Sequence, residues 1–492
     1  MGSEKKSTDL VKRQKIVITR DDSRVITRAH IPGSLTRINN IINRVLMLSE
    51  ETTEIEMQKV YNDFANRHKN LKLQLVKHFN KVSEYISSTV KVSENKKMLI
   101  GAYLTMEYSI ESAALFNPSI VPHPNQCHVM DNCLRFIMSL RATGEGHISS
   151  IVFRSGVINQ DGTFSFDETS QYVEKASVCH DPNYNYHLFQ LKLKELNAWD
   201  NTSIRILEQI PDKFTFQELK VSIGVLHLDP DFKCCDKTIE IIYWLANSNY
   251  TLQFDETSNV SERVIFPSSE NESRGIEDAR FVKFSDEKGD STYYATYTAY
   301  NGFSILPQLI KTKDFLKFNV MTLNGKAVQN KGMALFPRKI NGLYAMLSRQ
   351  DGENNYIMFS NHLHFWQEAK LIQEPTMPWE FIQIGNCGSP IEIKEGWLVL
   401  THGVGPMRQY AIGVILLDLE DPTTLIARLD EPLLTPNKNE REGYVPNVIY
   451  SCGGLIHQDK LIISYAMSDI SAGMATVDLK DLLASMTQIP SL

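Results

Sequence analysis

The chain has 492 residues, is 42% hydrophobic and 22% charged, and carries a formal net charge of −7. That balance supplies enough apolar material for one large core or two smaller ones and excludes a disordered chain. The acidic total excludes a nucleic-acid partner held by bulk electrostatics, while a local basic pocket for a small anion stays compatible with it.

The opening MGSEKKSTDLVKRQKIVITR is charged where a signal peptide or membrane span would be apolar, so the expected location is cytoplasmic, with no membrane partner. Seven cysteines are scattered without a CxxC pair or zinc-like spacing, which predicts free thiols and no metal. Residues 1–33 read as an N-terminal arm ending at Pro32 and Gly33. Then come LTRINNIINRVLML, IEMQKVYNDFANRHKNLKLQLVKHFNKVSEYI and KKMLIGAYLTMEYSIESAAL, whose apolar residues recur at helical spacing. They predict three helices in a helical region over 34–115.

Past Phe116 the pattern shortens to strands of four to eight residues separated by Gly, Asn and Asp. Four later segments repeat one design: DARFVKFSDEKGDSTYYATYTAY, MALFPRKINGLYAMLSR, GSPIEIKEGWLVLTHGV and VPNVIYSCGGLIHQDKLIISYAMSD. Each has a short strand, a polar turn and a second strand rich in aromatic and β-branched residues. Their spacing of about 50 to 65 residues is of the propeller kind. The expected fold is therefore mainly β over 116–492, a propeller behind an α-helical region, with an irregular β-sandwich as the alternative. Missing helical alternation in the second half argues against a doubly wound sheet.

Propeller hairpins converge on a central channel, so charges at their heads meet in space although distant in sequence. GIEDAR heads one such hairpin, and other heads or ends carry Lys331, Arg349, Ser389, His402 and Asn447. Neighbouring strand residues face opposite ways, so Glu277 and Asp278 do not form one catalytic dyad; Asp278 is either an acid facing the channel or a turn cap. His402 precedes Gly-Val-Gly and Arg408, and Arg280 and Arg349 offer forks for an oxyanion; core packing and surface ion pairs are the bland readings. Tyr300 and its neighbours in YYATYTAY are candidates for stacking on a sugar ring, or ordinary strand residues. RATGEGHISSIVFRSG, with Arg154, lacks the context of a P-loop, Rossmann turn or nucleophile elbow and reads as a polar channel loop.

In order, GIEDARFV, KGMALFPRKINGLYAMLSR, GSPIEIKEGWLVLTHGVG and ARLDEPLLTPNKNEREGYVPNVIYSCG resemble the signatures of glycoside hydrolase family 130. These are β-mannoside phosphorylases and related β-mannosidases, and the resemblance runs from about Phe116 to the C-terminus. It implies a five-bladed β-propeller and inverting transfer of a terminal β-mannosyl unit to inorganic phosphate, giving α-mannose 1-phosphate, or to water. Phosphate is then a co-substrate, and no cofactor is expected. The resemblance makes Asp278 the general acid, acting through a sugar hydroxyl, and assigns Arg280, Arg349 and His402 to the phosphate. Asn117, Arg154, Glu277, Tyr300, Ser389, Arg408 and Asn447 complete the expected sugar-binding set. Ala279 stands where short members carry proline, and YATYTAYNG offers no second phosphate arginine. In the hydrolytic alternative Glu440 and Glu442 are candidates for the base. A noncatalytic carbohydrate-binding propeller would use the same inventory. The helical region is a candidate homo-oligomer surface.

Overall fold

A computed structural model describes residues 10–127, 129–179, 183–232, 234–302 and 305–490. The N-terminal arm contains a strand, Val11–Ile18, that pairs antiparallel with Ser471–Asp478 at the far end of the chain. Four helices follow where three were expected: α1 (Leu35–Leu46), α2 (Glu50–Phe64), α3 (Leu71–Asn80) and α4 (Glu94–Tyr103). The long middle stretch breaks between α2 and α3, where His68 takes extended backbone and sets its ring 2.8 Å from Glu107. Helix α4 stops at Tyr103 because TMEYS, with its β-forming Thr and Tyr, leaves to pair with Val25–Ala29. Ile38, Ile42 and Val45, at i, i+4 and i+7 of α1, meet Met57, Leu75, Phe79 and Leu99 in a core of their own.

Between Phe166 and Gly275, four helices among the described residues depart from the expectation of short strands past Phe116. They are α5 (Tyr186–Glu195), α6 (Asn201–Leu207), α7 (Phe216–His227) and α8 (Asp236–Asn247). Helix α7 begins with a reciprocal cap in which the Thr215 hydroxyl accepts from Glu218 N and the Glu218 carboxylate accepts from Thr215 N. These helices enclose a separate apolar cluster that includes Leu193, Ile206, Phe214, Leu219, Ile223 and Ile242.

The rest of the chain is mainly β, in up-and-down antiparallel sheets. The first contains Ala114–Pro122, Leu134–Thr143, Ser149–Ile158 and Phe164–Phe166. The second contains Gly275–Ser285, Ser291–Tyr300, Ile305–Thr312 and Lys317–Thr322. One parallel pairing, Gly275 with Ser149, joins these two groups of strands into one continuous sheet. The third comprises Ala334–Leu335, Tyr344–Ser348, Asn355–Ser360 and Lys370–Gln373. Its first hairpin turns on Asn341-Gly342, with φ of 49° and 82°, the pair that a two-residue primed turn selects. The fourth runs Gln383–Asn386, Gly396–Val404, Tyr410–Leu417 and Leu425–Arg428. The fifth joins Ile449–Tyr450, Lys460–Met467 and Ser471–Asp478, with the N-terminal strand outermost.

The apolar cores lie between consecutive sheets. Phe153 with Phe281 joins the first to the second, Tyr294 with Met346 the second to the third, and Phe336 with Trp397 the third to the fourth. Ile412 and Ile463 share the core between the fourth and fifth, and Met138 with Met474 returns from fifth to first. Shared apolar cores thus link each group of strands to the next, and the fifth group to the first. Among the described residues no helix is long and apolar enough to cross a membrane, and no His, Cys, Asp and Glu cluster suits a metal.

Candidate active site

All five sheets contribute to one polar cavity of about 150 Å³. The first gives Asn117 and Arg141, the second Asp278. Lys331 precedes the third sheet and Arg349 follows its second strand. Gln383, His402, Arg408 and Tyr410 belong to the fourth sheet and its hairpin, and Val445, Val448, Tyr450 and Asp469 to the fifth and its loops. Four cations, Arg141, Lys331, Arg349 and Arg408, face two carboxylates, Asp278 and Asp469.

Asp278 sits at a register break between Glu277 and Arg280, with φ 54°. The break turns its carboxylate inward, where Oδ1 accepts 2.6 Å from Asn117 Nδ2 and 3.5 Å from Arg141 Nη1. Glu277 points elsewhere and holds Arg141 Nη2 at 2.8 Å, with Lys331 Nζ at 3.8 Å. Burial alone would raise the Asp278 carboxyl; Arg141, Lys331, Arg280 and the Asn117 hydrogen bond outweigh it and hold the group below the usual range. Asp469, in a tight hairpin turn, has the opposite balance. Burial and repulsion from Asp278 push it up to about 6 against the pull of Arg141, Arg408 and Lys331.

His402 accepts at Nε2 from Arg349 Nη1, 3.3 Å away, and lies in a stacked arrangement with the Tyr410 ring at 6.0 Å. Burial, reinforced by Arg349 and Arg280, pushes its pKa well below the usual value, so the ring is neutral. Gly385 makes room for it: a Cβ there would stand 2.4 Å from the imidazole. Arg280 lies behind the wall, giving Nη2 to the Tyr450 hydroxyl at 2.6 Å. The buried Nε atoms of Arg141, Arg280 and Arg349 have no hydrogen-bond partner. Buried unpaired guanidinium donors are costly.

A family model described as β-1,4-mannooligosaccharide phosphorylase matches residues 246–488. A 1,2-β-oligomannan phosphorylase of Thermoanaerobacter sp. (strain X514) is 37% identical over 225 residues, covering 44% of this chain and 72% of the relative. The chain belongs to glycoside hydrolase family 130. It is an enzyme of that β-mannoside-acting family. A β-1,2-mannobiose phosphorylase of Listeria innocua serovar 6a is 33% identical over 44% of the chain and 61% of its own length. A Listeria innocua β-1,2-mannobiose phosphorylase structure in complex with β-1,2-mannobiose aligns over 77% of this chain and 92% of its own, with a TM-score of 0.45 and 20% identity.

Of the residues expected from the family-130 motifs, Asn117, Asp278, Arg349, His402 and Arg408 line the cavity, and Glu277 and Arg280 brace it from behind. The others lie outside the cavity wall. Arg154 is buried in an ionic triad, with Nη2 at 3.0 Å from Glu111 Oε1 and Arg24 Nε at 2.7 Å from the same atom. Tyr300 gives its hydroxyl to the Gly302 carbonyl, and its strand neighbours Tyr293, Tyr294 and Tyr297 are core residues. Ser389 follows the strand that ends at Asn386, and Asn447 accepts from Arg441 Nε at 2.8 Å to shape a loop. Trp366 and Trp397 are fully buried.

Sequence reasoning missed Arg141, Asp469, Gln383, Tyr410 and Tyr450. Two of them had a legible signal. Arg141 opens the RATGEGHISS stretch, and Asp469 closes YAMSD at a hairpin head like the others.

Proposed function

We propose that the chain is an inverting β-mannoside phosphorylase, built as a five-bladed β-propeller over 116–492 with the cavity on its axis. The cyclic packing of five antiparallel sheets supports the propeller, and the strand Val11–Ile18 would then close the last blade. The observation that carries the activity is the excess of cations around Asp278. In this reading phosphate settles against Arg349, Lys331 and neutral His402, with Arg280 behind, and one phosphate oxygen attacks the anomeric carbon opposite the leaving sugar. The glycosidic C–O bond breaks, and its oxygen takes a proton that Asp278 supplies through a sugar hydroxyl. The surrounding cations hold Asp278 ionised; a bound phosphate's charge offsets them and lets it carry a proton.

Hydrolysis would need a base aimed at a water. Glu440, one of the two sequence candidates, is spent: Arg13 Nε lies 2.9 Å from its Oε1, Tyr465 donates to the same atom, and Asn437 N donates to Oε2. Glu442 is exposed and does not line the cavity. Relatives act on β-1,2 and β-1,4 linkages by name, so both are proper substrates to try. Incubation with β-1,2- and β-1,4-mannobiose, with and without phosphate, is the test. Phosphate-dependent α-mannose 1-phosphate is expected; mannose released at the same rate without phosphate would transfer the assignment to hydrolysis, and no turnover in either would favour a sugar-binding role.

A further inference from the structure

A second cavity, of about 440 Å³, lies between helix α5 and the last strands of the second sheet. Leu188 and Lys192 of α5 line it, as do Asn319, Val320 and Thr322 of the strand Lys317–Thr322, and His364 joins them from the segment after Asn355–Ser360. It shares no lining residue with the cavity around Asp278. Its α5 wall also lies outside 246–488, the span matched to family 130.

The polar groups of this cavity are only partly spent. Thr322 is 4% exposed and its hydroxyl has no hydrogen-bond partner; His364 Nδ1 is buried without one as well. Burial, with Lys311 and His362 nearby, pushes the His364 pKa down to about 4, so at pH 7 the ring is neutral and carries one donor and one acceptor. Asn319 Oδ1 accepts from Thr251 Oγ1 at 3.0 Å, which leaves its amide nitrogen for a ligand. Lys192 is buried, and its Nζ donates to Glu195 Oε2 at 3.0 Å and to the Leu323 carbonyl at 3.4 Å. The other Glu195 oxygen accepts from Gly325 N at 2.8 Å, so the carboxylate that neutralises Lys192 is itself held in place. One ammonium donor remains.

That inventory selects a ligand. An anion would meet a cation already neutralised by Glu195, and an apolar molecule would leave Thr322 and His364 unpaired at a cost. A hydroxyl both gives and takes a hydrogen bond, as Thr322 and a neutral imidazole require, while Leu188 and Val320 offer apolar surface to C–H faces. The volume is nearly three times the ~150 Å³ that holds a benzene ring and falls within the roughly 300–1,000 Å³ of small-molecule sites, which is room for a pyranose. The geometry points to a second, noncatalytic binding site here, taking a neutral single-ring sugar or cyclic polyol whose hydroxyls meet Thr322, His364, Lys192 and Asn319.

NMR titration with D-mannose, D-glucose and myo-inositol measures Kd for the wild type, Thr322→Val and Leu188→Trp. At least one of the three is expected to bind the wild type, with an affinity that Thr322→Val lowers roughly two- to tenfold and that Leu188→Trp, by filling the cavity, abolishes. Thr322→Val also removes an unpaired buried hydroxyl, so the ligand-free variant should melt no lower than the wild type; a lower Tm would mean that the hydroxyl has a protein partner and would overturn the assignment. Binding of none of the three overturns the site. Binding that both variants leave unchanged overturns it too and assigns the sugar to the cavity around Asp278. Tighter binding of D-glucose 6-phosphate than of D-glucose overturns the neutral ligand class. These readouts use no turnover, so they stand or fall independently of the phosphorylase reading.

Discussion

The Asn117 amide donates a 2.6 Å hydrogen bond to Asp278 Oδ1, and both residues hold positive φ, 47° and 54°, at register breaks in the first strands of two neighbouring sheets. Each break rotates one side chain out of strand alternation towards the same point. Asn and Asp are the non-glycine residues that tolerate this backbone best. Asn117→Ala removes a donor to a charged group, so the Asp278 pKa should rise; with the carboxyl no longer oriented by the amide, kcat/KM should fall about 10- to 100-fold. The readout is the pH–rate profile with its Asp278 limb moved upward. Asn117→Gly keeps the backbone accessible and should show the same loss; full activity there would mean the amide is not used.

Asp278→Asn keeps size and removes the proton. General acid catalysis contributes on the order of 100- to 10,000-fold, so turnover of a natural β-mannoside should fall within that range while sugar binding by calorimetry survives. An aryl β-mannoside with an activated leaving group needs less protonation and should recover part of the rate. Equal losses on both substrates would point to a structural Asp278.

Arg349 has His402 as its hydrogen-bond partner and an unpaired Nε. Lysine keeps the charge but loses the planar fork. Arg349→Lys should therefore raise the KM for phosphate about 10-fold or more, while the KM for the β-mannoside moves little. Initial rates across a grid of both substrates separate the two constants, and an equal rise in both would place Arg349 in general site architecture instead.

The strands and their turns were legible where local chemistry decides them: Asn341-Gly342 and the aromatic second strands mark their hairpins, and GIEDAR, MLSR and THGV do meet at one cavity. Helices α5 to α8 were not read, although TFQE at 215–218 is a capping signature, because short helices packed on their own small core resemble interrupted strands. Arg141 and Arg154 are both arginines in one polar stretch, and the sequence reading names only Arg154. Which one reaches the channel depends on strand parity and on a partner, Glu111, outside that stretch. The break of the long helical stretch at His68 answers to Glu107, nearly forty residues on, and no local pattern contains it.

Arg13 extends the consequences of the N-terminal strand to the cavity. Its guanidinium grips Glu440 at 2.9 and 3.1 Å and the Thr435 carbonyl at 2.6 Å, fixing the loop that carries Tyr444 and Val445. Arg13→Ala leaves Glu440, 5% exposed, without its cation. A cost of about 1–3 kcal/mol is expected in thermal or denaturant unfolding, together with a fall in kcat/KM, although Arg13 touches no substrate. Arg13→Lys should recover part of both. Unchanged kinetics in a destabilised Arg13→Ala would confine the residue to a structural role.

Asp469 gives a pH-dependent stability prediction whose sign is fixed by its surroundings. Its folded pKa of about 6 lies above the ordinary 3.8, because burial and the neighbouring Asp278 charge oppose its ionisation. Below pH 4 the group is protonated in both folded and unfolded chains and contributes no difference. As pH rises through 4 to 6 the unfolded chain ionises first, so folding is penalised increasingly, and above 6 the penalty is complete at on the order of 2–3 kcal/mol. Asp469→Asn removes the charge while keeping a residue suited to its φ of 53°. The variant should therefore unfold at higher denaturant than the wild type at pH 7 to 8, with the gap closing as pH falls from 6 to 4. It also lifts the repulsion on Asp278, whose carboxyl should become still more acidic, so the Asp278 limb of the pH–rate profile should move down. A stability gap that is constant from pH 4 to 8 would mean that Asp469 is not the strained carboxylate of this pair.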